Sequence, residues 1–240
     1  MNAVCLELPQ VSVKLVLPFH VKRNVQPCLL VVAGGREPGR AWLSTVGKNK
    51  AVFCADRGAE YCRKAELVPR LLYGDGDSAA ADVYTWAEGS GAEIKTFQPA
   101  KDDTDLKLLL DALPPGNIIA TGVWGGRFDH LYSNVFTLLE AKKNRGCQVA
   151  LADEQELMIL LTAGEAAELC LENTEAVEAV SLLPLEPCCN VTINGVRWPL
   201  ADAELSMLHP YAISNEPCRD FSSLGCSCQT GAIGLYLKFK

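Results

Sequence analysis

Leu71-Leu72-Tyr73-Gly74-Asp75-Gly76-Asp77-Ser78 joins a short apolar run to a turn that holds two carboxylates one residue apart. An unbroken apolar run of this length marks a strand buried on both faces, as in a parallel sheet. Glycines at 74 and 76 allow a sharp turn and the close approach of another group. Ligands of open α/β sheets bind beyond the carboxyl ends of the strands. Asp75 and Asp77 are therefore expected on a binding edge. Carboxylates that close repel each other unless a cation lies between them, and hard oxygen donors suit Mg²⁺. Taken alone, the turn reads more readily as a solvated acidic loop.

Working outward, similar apolar runs occur at 29–33, 51–55, 93–97, 117–121 and 148–152. Segments able to form helices separate them, among them 59–66 and 79–88. Such alternation predicts a parallel sheet with helices on both faces. After Asp103-Thr104, Leu106, Leu109, Leu110 and Leu113 form the stripe of an amphipathic helix, stopped by Pro114-Pro115. A second helix is expected from about His130 to Arg145, with Lys142, Lys143 and Arg145 in its last turn and Gly146 after it.

Beyond residue 153 the pattern changes to short β-rich runs at 156–161, 168–171, 176–183, 190–193, 196–200 and 233–239. Asn194-Gly195 signals a type I′ hairpin between two of them. The predicted architecture is an α/β domain over 28–153 followed by a β-sandwich over 154–240, with residues 1–27 as an N-terminal extension.

The 240 residues carry a formal net charge of −7 and no basic patch, which argues against a nucleic-acid partner. The stretch 1–19 is interrupted by Glu7, Pro9, Gln10 and Lys14, and so reads neither as a signal segment nor as a membrane span. Eleven scattered cysteines form no Cys-x-x-Cys pair and only three histidines accompany them, so zinc is not indicated. An odd number of thiols without a secretory signal points to a cytoplasmic, reduced protein.

Two further motifs follow predicted strands. Lys101-Asp102-Asp103-Thr104-Asp105 carries more acid than a helix start needs; Asp105 is a candidate metal ligand and Lys101 a candidate phosphate contact. Gly125-Gly126-Arg127-Phe128-Asp129-His130 opens a helix, where glycines and the fork of Arg127 suit an anion. Asp129 is either a helix cap or a further acid of the site, and His130 reads as structural. Carboxylates, an arginine and a helix N-terminus on one sheet edge make up a phosphoryl-transfer inventory. No Gly-x-x-x-x-Gly-Lys-Ser/Thr occurs, so the chain is not a P-loop enzyme.

In order, Gly-Asp-Gly-Asp-Ser (74–78), Lys-Asp-Asp-Thr-Asp (101–105) and Gly-Gly-Arg-Phe-Asp-His (125–130) resemble the signature motifs of the thiamine pyrophosphokinase family. Ala55-Asp56-Arg57-Gly58-Ala59 is similar to its Ala-Asp-Gly-Gly-Ala motif, with Arg57 in place of a glycine. Segments 180–185, 195–200 and 213–216 resemble its C-terminal motifs, although 208–212 departs from the usual lead into the last and Gly76 replaces an aromatic residue.

The resemblance implies Mg²⁺-dependent transfer of pyrophosphate from ATP to thiamine, with AMP released. It also implies a homodimer whose active sites are shared between subunits. By motif position, Asp75, Asp77 and Asp105 would hold the metal. Asp56, Lys101, Thr104 and Arg127 would bind ATP, with Asp129 beside them in the catalytic set. Ser214 and Asn215 would reach thiamine. A non-catalytic nucleotide- or thiamine-binding relative is the alternative.

Overall fold

The computed structural model describes residues 2–18, 26–74, 81–96, 103–209, 211–218 and 223–240. The chain begins with β1 (Asn2–Leu8), β2 (Val11–Leu17) and β3 (Cys28–Val32). It continues through α1 (Arg40–Gly47), β4 (Ala51–Ala55), α2 (Gly58–Lys64), β5 (Leu71–Gly74), α3 (Ala81–Gly89) and β6 (Glu93–Thr96). Next come α4 (Asp105–Ala112), β7 (Asn117–Thr121), α5 (Phe128–Arg145) and β8 (Val149–Ala152). Seven strands complete it: β9 (Glu156–Thr162), β10 (Glu165–Leu171), β11 (Val177–Pro184), β12 (Cys188–Asn194), β13 (Leu200–Leu205), β14 (Ser223–Thr230) and β15 (Ala232–Phe239).

Two compact units result, one of Gln26–Asp153 and one of Met1–Val25 with Glu154–Lys240. In the first, parallel strands run in the order β8-β7-β3-β4-β5-β6. Leu30, Val31, Val32, Ile118, Ile119 and Ala120 are wholly buried, as expected of strands covered on both faces. From central β3 the chain winds outward through β4, β5 and β6, then returns by α4 to β7 on the other flank. The loops after β3 and β7 therefore part in opposite directions, which opens a crevice beyond their carboxyl ends.

Local chemistry sets the helix ends. Thr104 caps α4 by accepting the Lys107 N–H at 3.2 Å. Arg145, in the last turn of α5, donates to the carbonyls of Leu110, Leu113 and Pro114 at 3.1, 3.0 and 2.6 Å. It thereby satisfies acceptors that the end of α4 leaves open. Gly146 takes the left-handed conformation that ends α5, with φ of 60°.

Among its described residues the second unit is built of β-strands, with one short 3-10 turn at Thr174–Ala176. One antiparallel sheet has the order β1-β2-β10-β14-β12-β13. Strands β11, β15 and β9 pair antiparallel, and β9 and β15 pack on β10 and β14, so the two layers form the expected sandwich. Residues 2–17 are thus no separate extension: the β1–β2 hairpin pairs through β2 with β10, and Val11, Val13 and Leu15 enter the core while Lys14 faces out.

Two local expectations also change. Strand β13 begins at Leu200, the last residue of the expected 196–200 run, and no two-residue hairpin forms at Asn194-Gly195. The Asn194 side chain accepts the Gly225 N–H at 3.0 Å, and Gly195, at φ 74°, passes against the Ser223 carbonyl. Cross-strand contacts to β14, not local turn chemistry, direct the chain there. No helix among the described residues is long and apolar enough to cross a membrane.

Candidate functional site

A cleft of about 710 Å³ opens at the carboxyl edge of the parallel sheet. The turn after β3 gives it Gly34 and Gly35, the turn after β4 gives Asp56 and Arg57, and the start of α4 gives Thr104 and Asp105. The loop after β7 and the first turns of α5 add Gly125, Gly126, Arg127, Asp129, His130, Ser133 and Asn134. Of the residues expected to act, Asp56, Thr104, Asp105, Arg127 and Asp129 line this one cleft. Asp75, Asp77 and Lys101 lie outside the described residues.

The loop after β7 is held by its carbonyls. Gly122 O accepts the Gly35 N–H at 2.6 Å, Val123 O accepts from Asn134 Nδ2 at 3.1 Å, and Trp124 O accepts the Arg36 N–H at 2.6 Å. Three successive carbonyl oxygens are therefore engaged by protein donors, which limits how the peptides of a glycine-rich loop can rotate. Gly122, Gly125 and Gly126 adopt φ of 66°, 69° and 70°, a region that side chains enter at a cost. Arg36 is fixed in turn by Asp153, whose Oδ2 accepts from Nε at 3.0 Å and from Nη2 at 2.6 Å.

The sequence marks Gly34-Gly35 only as the turn that ends a buried strand, and no motif marks Asn134. Asn134 sits about two helical turns past the Gly-Gly-Arg motif, and its side chain meets the loop only once α5 forms. Asp56 is another special position. It holds φ of 49° at the cleft edge, a conformation that Asp tolerates better than most residues but that is still strained.

Arg127 and Asp129 are paired: Nε reaches Oδ1 at 3.1 Å and Nη2 reaches Oδ2 at 2.5 Å. This is a two-point contact of fork to carboxylate. The Arg127 guanidinium, helped by the His130 N–H, holds the Asp129 carboxyl below the usual carboxylate range. Its charge persists at neutral pH and is lost only as pH falls through that depressed value. Asp129 does not cap its helix conventionally; Arg127 occupies the N-cap position, and Asp129 Oδ1 accepts from its neighbour's N–H at 3.0 Å. His130, read as structural, lines the cleft.

The cleft offers hard oxygen donors, the carboxylates of Asp56 and Asp105, to a cation, and nothing in the donor set favours a soft metal. Among the described residues no group of three or more His, Cys, Asp or Glu side chains is placed to hold a metal. The two described carboxylates fit a hard cation such as Mg²⁺.

The β unit has its own pocket, about 180 Å³, lined by Val180, Leu182, Ile193, Trp198, Tyr211 and Asn215 among others. Asn215 belongs to its wall, but its amide is engaged in holding Trp198: Oδ1 accepts the Trp198 N–H at 3.1 Å and Nδ2 donates to Trp198 O at 2.7 Å. Ser214, at φ 59°, donates its N–H to Ser181 Oγ at 3.0 Å and does not line the pocket. Trp198 itself is half exposed and carries the Arg197 guanidinium 4.7 Å from its ring centroid.

Comparison with known proteins agrees with this arrangement. The family model described as "Thiamin pyrophosphokinase, catalytic domain" matches residues 43–151, and "Thiamin pyrophosphokinase, vitamin B1 binding domain" matches 168–220. A thiamine pyrophosphokinase of Bacillus subtilis (strain 168) is 30% identical over 165 residues, covering 67% of this chain and 75% of the relative. The crystal structure of thiamine pyrophosphokinase from Bacillus subtilis superposes with a TM-score of 0.75 at 24% identity, covering 89% of this chain and 99% of that one. The fold also matches thiamin pyrophosphokinase from Candida albicans, with a TM-score of 0.75 at 16% identity and 90% of each chain covered.

Proposed function

Since the chain belongs to the thiamine pyrophosphokinase family and makes thiamine diphosphate and AMP from ATP and thiamine, we propose that the cleft of the parallel-sheet unit is the nucleotide side of its active site. The observation that carries this reading is the convergence of Asp56, Thr104, Asp105, Arg127 and the 125–126 glycines on one sheet edge.

Asp75, Asp77 and Asp105 would hold Mg²⁺. When bound, the metal supplies charge neutralisation on the phosphates and orients them for attack. Arg127 presents its N–H fork to phosphate oxygens, and Lys101 and Thr104 extend the same side. Asp129 is assigned to orienting Arg127: a carboxylate already paired and acidified is a weak proton acceptor.

The primary hydroxyl of thiamine attacks the β-phosphorus of ATP in line. The bond from that phosphorus to the oxygen joined to the α-phosphorus breaks, and AMP leaves. Positioning and electrostatics supply most of the rate. Residues 28–153 are assigned to nucleotide and catalysis, and 154–240 to thiamine, with the Trp198 pocket as its seat and Ser214 and Asn215 beside it. The described cysteines are all free thiols, which supports a cytoplasmic setting.

Incubation of the full chain with Mg-ATP and thiamine should release AMP and thiamine diphosphate in equal amounts. ADP as product, or a trapped phospho- or pyrophospho-enzyme, would overturn direct transfer; no turnover would leave a non-catalytic binder.

The reading includes a homodimer in which one subunit's cleft meets the partner's thiamine region. The family resemblance supports it. Mixing inactive Arg127→Gln chains with inactive chains altered at Trp198 should restore activity in verified heterodimers, up to one intact site each. Heterodimers that stay inactive would argue for sites built within one subunit.

A further inference from the structure

Arg57 stands where the resembled Ala-Asp-Gly-Gly-Ala motif has a glycine, and the structure turns it toward the cleft. It lies on the wall opposite Arg127. A methyl added to Gly34 would lie 3.3 Å from Arg57 Cβ, so the arginine packs directly across from the turn after β3. Its neighbour Tyr61 donates from Oη to the Gly35 carbonyl at 2.8 Å and so anchors the same turn. Burial pushes the Tyr61 phenol up, and the nearby Arg57 guanidinium opposes that shift, which places the charge beside Gly35.

The charges of the cleft differ in how far they are engaged. Arg127 is held at two points by Asp129. Arg57 has no carboxylate partner among the described residues, and its side chain is exposed. An exposed guanidinium that no carboxylate among the described residues pairs with, facing glycine turns and an opposed arginine across a cleft of this size, is complementary to a chain of phosphates.

We propose that Arg57 is a second polyphosphate-binding arginine, closing on the nucleotide from the β4–α2 side while Arg127 holds it from the β7–α5 side. The proposal deepens the functional reading above and rests on it. A glycine at this position offers only a backbone N–H, whereas arginine adds a charged fork. The contact should therefore strengthen binding of the nucleotide and leave thiamine untouched.

The experiment compares Arg57→Gln and Arg57→Lys with the unaltered full-length chain. Mg-ATP binding is followed by titration calorimetry, and KM for each substrate from AMP release. Losing a charge-assisted contact should weaken Mg-ATP about 10- to 100-fold in Arg57→Gln, with the thiamine KM within about twofold. Arg57→Lys should recover part of the loss, since it keeps the charge but not the fork. Raising KCl should weaken nucleotide binding less steeply in Arg57→Gln than in the unaltered chain.

Mg-ATP affinity in Arg57→Gln within twofold of the unaltered chain overturns the proposal. So does a parallel loss for both substrates with a lowered melting temperature that Arg57→Lys fails to repair, because that marks a purely structural residue. An unaltered chain that binds no Mg-ATP defeats the functional reading itself. Binding that is normal in both chains defeats the Arg57 assignment alone.

Discussion

Asp105→Asn is expected to lower kcat/KM for AMP release by about 100- to 1,000-fold while the melting temperature stays close to its starting value. Asp105 opens α4 and lines the same cleft as Arg127. An amide is a poorer ligand than a carboxylate for a hard cation. Metal assistance of phosphoryl transfer contributes several kcal/mol, and each 1.36 kcal/mol is a factor of ten. The fold should tolerate the change because Thr104, not Asp105, caps the helix. The lost interaction with the helix dipole costs only about 0.3–1 kcal/mol, and easing repulsion among nearby acids offsets part of it. Steady-state rates over a range of Mg²⁺ concentrations, together with a thermal melt, provide the check. Partial recovery at high Mg²⁺ would fit a weakened metal site. Activity within threefold of the unaltered chain would remove Asp105 from the metal set.

The parallel-sheet unit was legible because its rules are local. Strands covered on both faces read as unbroken apolar runs, and Ala51–Ala55 and Asn117–Thr121 form with the bounds expected. The α4 stripe is read directly from Leu106, Leu109 and Leu110, all buried. Glycine and acid turns after those strands led to Asp105, Arg127 and Asp129, since the strand ends of such a sheet converge on one edge.

What escaped depends on distant pairing. The alternation Val11-Ser12-Val13-Lys14-Leu15 is a half-buried strand pattern, yet its partner β10 lies some 150 residues on. Strand β14 hid because Ser223–Thr230 is built of serine, glycine and cysteine. Its Leu224, Cys226 and Cys228 point inward, and the cysteines serve as small apolar groups; burial pushes the Cys226 and Cys228 thiols up to about 12. The hairpin at Asn194-Gly195 failed for the same reason in reverse. A strong local turn signal lost to contacts with β14 that only the folded sandwich supplies. In the site, Arg36, Asn134 and Tyr61 escaped because each acts on a backbone carbonyl of another element, and no side-chain motif records that.

Gly122→Ala should destabilise the chain by about 3 kcal/mol or more, lowering the melting temperature by roughly 10 °C. Two costs combine. Gly122 has φ of 66°, where an alanine is strained by about 1–2 kcal/mol. An added methyl would also fall on the carbonyl of Ala33, with the carbonyl carbon only 2.9 Å away. That carbonyl belongs to the backbone at the end of β3 and cannot swing aside as a side chain does. Ala33 N–H is bonded to Thr121 O at 2.8 Å, and Gly35 N–H to Gly122 O at 2.6 Å. Relief of the clash therefore means parting β3 from β7 where the cleft begins, and nucleotide binding should weaken along with stability. Gly126→Ala is the control: φ there is 70°, but an added methyl meets nothing within 4 Å. It carries the conformational cost without the collision and should lose about 1–2 kcal/mol. Chemical denaturation of both variants separates the two contributions. Equal losses would show that the close approach of β3 to β7 is not what requires glycine at position 122.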